Sequence, residues 1–86
     1  MITVYTKPSC GTCDATKLWL KRNAIEFVEL DIEAIPLARE QVEEMGYTSV
    51  PVVRAGAEHW SGFRIEKLAA LKTFHPSSND GVIEYE

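Results

Sequence analysis

The sequence lacks several features that define other classes of protein. Its 86 residues hold only two cysteines, Cys10 and Cys13, and these lie too close together to join distant parts of a fold, which excludes a secreted disulfide scaffold. No apolar run approaches the ~20 residues that span a bilayer, so we expect no membrane partner. Positive charge is not in excess either, since nine Lys and Arg oppose thirteen Asp and Glu for a net charge of −4. Nucleic acids bind clustered positive charge, and we therefore expect no nucleic-acid partner.

The composition is that of one small globular domain. Apolar residues make up 45% of the chain and charged residues 26%, close to the averages of soluble folds. A chain of this size has a single modest core, which leaves no room for two lobes with a cleft or for a cofactor as large as FAD. Because the strand-like N-terminus has no basic region followed by an apolar segment, we expect no secretory signal and a cytoplasmic location.

Hydrophobic patterns predict an α/β fold with the element order βαβαββα. A helix between the first two strands makes a crossover connection, which favours parallel pairing of those strands. The predicted strands cover residues 2–5, 25–30, 50–53 and 58–61, and the predicted helices run from about Gly11 to Asn23, from Pro36 to a stop signal at Gly46, and from about Arg64 to Lys72. These elements form a mixed four-stranded sheet with helices on both faces. We assign residues 1–72 to this domain and 73–86 to a loosely ordered tail in which 82–85 could add a strand.

Residues at helical spacing support the three predicted helices. They are Ala15, Leu18 and Trp19 in the first helix, Leu37, Gln41, Val42 and Met45 in the second, and Ile65, Leu68 and Ala69 in the third.

The chemistry of the chain lies in the segment Cys10-Gly11-Thr12-Cys13, between the first strand and the first helix. Unpaired amides and the positive end of the dipole at a helix N-terminus stabilise an anion. A cysteine there has its pKa lowered from about 8.5 to between about 3.5 and 7.5. Cys10 is expected at the cap and Cys13 one turn further in, so Cys10 would attack a substrate disulfide and Cys13 would resolve the mixed disulfide. Lys7 would add positive charge near the thiolate.

Two other interpretations of the cysteine pair are structural. Buried structural cysteines fit poorly in a small turn between a strand and a helix. A zinc site needs about four ligands, and the remaining candidates, His59 and His75, do not have ligand spacing. A cytosolic C-x-x-C beside a strand–helix–strand unit favours redox chemistry. On the residues alone, Pro51 reads as a trans, strand-opening proline, since cis bonds account for only about 5–6% of X–Pro bonds in folded proteins.

Three segments resemble the NrdH-type redoxins, which are glutaredoxin-like members of the thioredoxin superfamily. They are 6–13 (Thr-Lys-Pro-Ser-Cys-Gly-Thr-Cys), 50–53 (Val-Pro-Val-Val) and 59–64 (His-Trp-Ser-Gly-Phe-Arg). The resemblance extends over about residues 2–71 and implies the thioredoxin/glutaredoxin fold, with Cys10 as nucleophile and Cys13 as resolving thiol. It also implies a cis Pro51 facing the dithiol, with the backbone of Val50 pairing with an extended substrate chain.

The resemblance further implies the electron-transfer partners. Members of this family are reduced by thioredoxin reductase and deliver electrons to class Ib ribonucleotide reductase. We expect no bound cofactor, because the electrons travel in the two sulfurs, while NADPH and FAD belong to the reductase. We also expect a monomer, since a carrier must expose its dithiol to two partners in turn.

The chain departs from true glutaredoxins after the second hairpin strand. Ser61-Gly62-Phe63-Arg64 replaces an acidic segment that helps to hold glutathione, and Trp60 and Phe63 would offer an apolar surface to a protein partner unless they only fill the core. Gly11 and Thr12 are smaller than the residues usual between the cysteines of this family. The residues expected to contact substrate or partner are Lys7, Gly11, Thr12, Val50, Pro51, Trp60, Ser61, Gly62, Phe63 and Arg64.

Three alternatives remain open from the sequence. The first is a glutaredoxin that works through glutathione. The second is a thioredoxin-fold binding module in which the thiols are incidental. The third is metal carriage by the two thiolates, which would require a dimer.

Overall fold

A mixed four-stranded sheet organises the chain, and the computed structural model describes it over residues 2–74, with side chains to Lys72. The elements are β1 (Ile2–Thr6), α1 (Gly11–Arg22), β2 (Val28–Asp31), α2 (Pro36–Glu44), β3 (Val52–Ala55), β4 (Glu58–Ser61) and α3 (Ile65–Phe74). The strand order is β2-β1-β3-β4, with β1 parallel to β2 and both other pairs antiparallel. This confirms the predicted order βαβαββα and the thioredoxin/glutaredoxin fold. None of the described helices is long and apolar enough to cross a membrane.

The second and third strands begin later than the sequence predicted. β2 starts at Val28 instead of Ile25, because Ala24 adopts a positive φ of 57° and the Ile25 amide still bonds to the Leu20 carbonyl at the end of α1. β3 starts at Val52, after Pro51, which has no N–H to give to a ladder. The strand suggested at 82–85 lies outside the described residues.

All three helices begin at the same edge of the sheet, which is the edge formed by the carboxyl ends of β1 and β2. β1 and β2 run parallel and end at this edge, where α1 and α2 follow them. The register pairs Tyr5 with Val52 and Val52 with Ser61, so β3 begins and β4 ends at the same edge, and α3 follows β4. The edge therefore gathers the first turns of three helices around the end of β1.

The core consists of two apolar clusters on opposite faces of the sheet. The first contains Ile2, Val4, Leu20, Val53, Trp60, Leu68 and Leu71, and the second contains Tyr5, Ala38, Val42 and Val52. Since Leu20 belongs to α1 and Leu68 to α3, these two helices cover one face, while α2 covers the other. Helices on both faces are as predicted.

Helical spacing predicted where the helices lie, but it does not show which of their residues are covered. Leu18, Leu37 and Ile65 are 48%, 60% and 53% exposed. α1 instead buries Cys13, Thr16 and Leu20. The polar Thr16 is tolerated there because its hydroxyl donates to the Thr12 carbonyl at 2.9 Å, and a hydrophobicity pattern does not register such a residue as buried.

A polar network connects α1 to β2. Glu29 on β2 accepts a hydrogen bond from the buried Thr6 hydroxyl (3.0 Å) and another from the Lys17 ammonium (2.8 Å). Lys17 also lies 3.6 Å from the Asp14 carboxylate. The hydrogen bond from Lys17 lowers the pKa of Glu29, and the same bond raises the pKa of Lys17. Both groups are partly exposed, so solvent weakens their contribution to stability.

The variant Glu29→Gln tests this network through the pH dependence of stability. A glutamine still accepts from Thr6 but loses the ion pair, so we expect a loss of about 1 kcal/mol or less in the free energy of unfolding at pH 7. Glu29 has a lowered pKa in the folded state, so its contribution is present above the unfolded pKa and disappears as the pH falls through the folded value. The difference between wild type and variant should therefore be smaller at pH 3 than at pH 7.

Urea unfolding at the two pH values measures this difference. Glu26→Gln, which removes an exposed carboxylate just before β2, is the matched control and should show no such pH-dependent gap. An equal difference at both pH values for Glu29→Gln would show that the ion pair does not contribute.

Candidate active site

Cys10 is the N-cap residue of α1, as the sequence predicted. Ser9 takes a positive φ of 58° and turns the chain after β1, while Cys10 itself is extended (φ −116°, ψ 105°). The Cys10 carbonyl accepts the first helical bond, from the Asp14 amide at 3.1 Å. The end of β1 therefore delivers the Cys10 side chain to the positive end of the helix dipole.

The sulfur of Cys10 lies among groups that can stabilise a thiolate. The Cys13 amide donates to this sulfur at 3.1 Å, and the Thr12 hydroxyl oxygen is 3.6 Å away. Cys10 and Cys13 form a disulfide with their Cα atoms 5.2 Å apart. Cys10 retains 8% exposure, whereas Cys13 is fully buried. Of the two sulfurs, that of Cys10 is therefore the one an incoming disulfide can reach.

The loop before β3 completes the site from the other side. The Val50–Pro51 peptide bond is cis, as the resemblance implied and contrary to the trans form expected from the residues alone. The Val50 carbonyl oxygen lies 4.0 Å from the Cys10 sulfur. The Pro51 carbonyl accepts the Gly62 amide at 2.8 Å. This bond connects the segment after β4 to the loop that faces the dithiol, and Gly62 has the positive φ (91°) that the turn requires.

The other predicted contact residues divide into exposed and buried positions. Lys7, Gly11, Thr12 and Arg64 are exposed, Val50, Ser61, Gly62 and Phe63 are partly buried, and Pro51 and Trp60 are buried.

Trp60 was included among the predicted partner contacts, but the structure buries it. It is only 5% exposed and belongs to the core cluster that α1 and α3 cover, so it does not offer an apolar face to a partner. Phe63 packs against the same cluster but remains partly exposed. The alternative of core packing therefore holds for Trp60, and Phe63 combines packing with surface exposure.

Tyr47 is a residue of the site that the sequence reasoning missed. Its hydroxyl lies 2.8 Å from His59 Nδ1 and donates to the His59 carbonyl at 3.2 Å, and the two rings meet edge to face. Tyr47 lies three residues before Val50, so this contact ties the start of the cis-proline loop to β4. An aromatic residue directly after the Gly46 stop signal was the available clue.

His59 is thereby engaged with Tyr47. Within residues 2–74, no group of three or more His, Cys, Asp or Glu side chains has an arrangement that could hold a metal ion. The zinc interpretation of the cysteine pair therefore finds no set of ligands in this part of the chain.

Comparison with known proteins relates this site to redox proteins. The sequence model of the glutaredoxin family matches residues 2–60. The glutaredoxin-like protein NrdH of Lactococcus lactis is 41% identical over 71 residues, which cover 83% of this chain and 99% of that protein. The Escherichia coli protein of the same name is 36% identical over 76 residues, 88% of this chain and 90% of the relative. The solved structure of Escherichia coli NrdH-redoxin, described as glutaredoxin-like with a thioredoxin-like activity profile, has a TM-score of 0.78 and covers 81% of this chain and 92% of that chain.

The contact between Thr12 and the Cys10 sulfur can be tested in the reduced protein. Thr12→Val keeps the shape of the side chain but removes the hydroxyl, so the thiolate loses a donor. We expect alkylation of Cys10 by iodoacetamide at pH 7 to slow by about threefold to tenfold, with the half-maximal rate shifted to higher pH. Thr12→Ser keeps the hydroxyl and should behave as wild type. A Thr12→Val profile identical to that of wild type would show that the hydroxyl does not contribute.

Proposed function

The chain belongs to the NrdH-type redoxins of the glutaredoxin family, and from this premise we propose that it carries electrons from thioredoxin reductase to class Ib ribonucleotide reductase. Membership and the Cys10–Cys13 pair make it a thiol–disulfide oxidoreductase. The observation that carries the proposal is the reactive geometry at the edge of the sheet, where a helix cap, a buried second cysteine and the cis-proline loop meet at one sulfur.

The reaction follows from the two positions. In the reduced protein, the Cys10 thiolate attacks one sulfur of the substrate disulfide, and the other sulfur leaves as a thiolate that takes up a proton. Cys13 then loses its proton and attacks the Cys10 sulfur. This closes the Cys10–Cys13 disulfide and releases the second substrate thiol. Two electrons pass to the substrate in each cycle, and the reductase returns them.

The assignment of Cys10 as nucleophile rests on access and charge stabilisation. Only Cys10 has residual exposure, and its sulfur accepts the Cys13 amide at the helix N-terminus. Cys13 is fully buried next to it, so it is protected from outside disulfides and is available only to the intramolecular step. When the reductase returns the electrons, its thiolate attacks the accessible Cys10 sulfur and Cys13 leaves as a thiolate. The Cys13 amide then stabilises Cys10 as the leaving thiolate when a second reductase thiol resolves the mixed disulfide.

A substrate chain has a place to pair beside the nucleophile. The Val50 carbonyl is 4.0 Å from the Cys10 sulfur, so a backbone that brings a disulfide to Cys10 passes the Val50 peptide group. Hydrogen bonds to the backbone are a recognition mode that tolerates different side chains. Such tolerance suits a carrier that must meet both a reductase and an acceptor.

The segment after β4 supports protein partners over glutathione. Glutathione would need acidic groups here for its α-amino group, and the first carboxylate of the segment, Glu66, is bonded to Arg64 at 2.8 Å. That hydrogen bond lowers the pKa of Glu66, and residues 61–64 themselves contain no acidic side chain that could receive an α-amino group. In this proposal the protein binds no cofactor of its own, and NADPH and FAD remain with the reductase.

Parallel reductase assays test the electron donor. The oxidised protein is mixed with NADPH and thioredoxin reductase, or with NADPH, glutathione and glutathione reductase, each with a disulfide acceptor present. We expect NADPH consumption only with thioredoxin reductase, and then reduction of class Ib ribonucleotide reductase in the same mixture. Turnover only with glutathione would replace the proposal with a glutathione-dependent glutaredoxin.

Single cysteine variants test the two roles and the binding-module alternative. Cys13→Ser should stop after the first step and accumulate a mixed disulfide at Cys10, seen as an added mass that dithiothreitol removes. Cys10→Ser should form no adduct and show no turnover above the uncatalysed rate. If the electron-transfer role survived Cys10→Ser unchanged, the thiols would be incidental and the fold would act as a binding module.

A further inference from the structure

Three large apolar side chains are exposed at the edge of the sheet that holds the dithiol. Ile35 is 39% exposed, Leu37 60% and Ile65 53%. The helices that carry Leu37 and Ile65 complete the core with other residues, Ala38, Val42, Leu68 and Leu71. The three exposed side chains do not form one contiguous patch, so their meaning depends on where they lie relative to the dithiol.

The topology places these residues beside Cys10. Ile35 is the N-cap of α2, Leu37 is the second residue of that helix, and Ile65 is the first residue of α3. Both helices begin at the edge where β1 ends and Cys10 follows. The other large exposed apolar residues of the described chain, Leu18 and Val28, lie elsewhere. Leu18 is seven residues along α1 from its first residue, about 10 Å away, and Val28 begins β2 at the opposite edge.

The exposed residues flank the dithiol from both faces of the sheet. α2 packs on the face of Tyr5 and Val52, and α3 packs on the face of Val53 and Trp60. A helix is about 10–12 Å across, so the α2 side and the α3 side are separated by about 20 Å, with the Cys10 loop between them. An extended chain of about six residues spans that distance, whereas a tripeptide covers about half of it.

Charge at this edge is largely balanced within the protein. Arg64 bonds to Glu66 at 2.8 Å, and the Asp31 carboxylate accepts the backbone amides of Glu33 (2.8 Å) and Ala34 (3.3 Å). The exposed Lys7 and Glu33 have opposite signs. The surface is therefore suited to recognition by apolar contact, and less to electrostatic attraction.

We propose that Ile35 and Leu37 on one side, and Ile65 on the other, form a two-sided docking surface for an extended segment of a disulfide-bearing protein with apolar side chains on both sides of its cysteine. The proposal rests on the proposed function and adds the kind of substrate that the dithiol selects. It places specificity on the first turns of α2 and α3, outside the segments that carry the family resemblance. Small disulfides reach Cys10 without touching either side and gain nothing from the surface.

Serine variants and matched substrates test the surface. The reduced protein and its Leu37→Ser and Ile65→Ser variants are compared with Leu18→Ser, which replaces another exposed leucine (48%) on the second turn of α1. Three disulfides serve as substrates. The first is the disulfide-linked dimer of a peptide of about nine residues with leucines on both sides of its cysteine, which is long enough to cross the edge when extended. The second is the same dimer with serines in place of the leucines, and the third is bis(2-hydroxyethyl) disulfide. The reaction is stopped with acid, and chromatography separates the disulfide from its thiol products to give the second-order rate constant of reduction. Each protein dithiol converts one disulfide into two thiols.

We expect Leu37→Ser and Ile65→Ser each to slow reduction of the leucine dimer by about fivefold to tenfold. Reduction of the serine dimer and of the small disulfide should be unchanged, and Leu18→Ser should match wild type throughout. Raising the ionic strength from about 0.05 to about 0.5 M should leave the leucine-dimer rate within about twofold, because apolar contacts are not screened.

Several outcomes would overturn the inference. Wild-type rates for both edge variants on the leucine dimer would show that the surface is not used. Slowing on the small disulfide as well would show that these residues support the dithiol itself. A concentration-dependent dimer of wild type that both variants abolish would assign the surface to a second copy of the chain. If the wild type reduced none of the three disulfides, the proposed function itself would fail, which is a separate result.

Discussion

The hydrogen bond from the Cys13 amide to the Cys10 sulfur is the contact on which the site depends. It satisfies one of the free amides at the start of α1, and it holds the reactive atom against the positive end of the helix. In the proposed function, the capping side chain is also the nucleophile. The same hydrogen bond therefore stabilises both the helix and the thiolate, which requires that α1 packs firmly against the sheet. Its buried residues, Cys13, Thr16 and Leu20, provide that packing.

The sheet directs its chemistry to one edge. Parallel pairing of β1 with β2, and antiparallel pairing of β3 and β4, bring the first turns of all three helices to the end of β1. The cis-proline loop reaches the same end of the sheet and is held there by two hydrogen bonds. Before the proline, the Tyr47 hydroxyl donates to the His59 carbonyl of β4. At the proline itself, the Pro51 carbonyl accepts the Gly62 amide. The proposed role as an electron carrier is served by such a fixed arrangement, because only the Cys10–Cys13 bond has to change in each cycle. Differences in the choice of substrate then depend on the side chains around the dithiol.

Agreement between sequence and structure was greatest where local chemistry dominates. The element order, the helix start at Gly11, the position of Cys10 at the cap and the hairpin strand Glu58–Ser61 were all predicted. Agreement was weakest where a residue's neighbours decide its burial. Leu18, Leu37 and Ile65 lie at helical spacing but are exposed, while Trp60, for which both a partner contact and core packing were open, is buried. Periodicity shows that a helix has an apolar side, but the sheet it packs on decides which of those residues are covered.

The sequence by itself determined the cysteine pair and its position, because a C-x-x-C between a strand and a helix places the first sulfur at the cap. It also carried the family resemblance, including the cis form of Pro51, which the residues alone did not indicate. Only the tertiary structure decided what surrounds the dithiol. The Val50 carbonyl, the Gly62 bond and the exposed starts of α2 and α3 come from segments 25 to 55 residues distant from Cys10 in the chain. Strand order and register bring them together, and these depend on long-range pairing that no local pattern records.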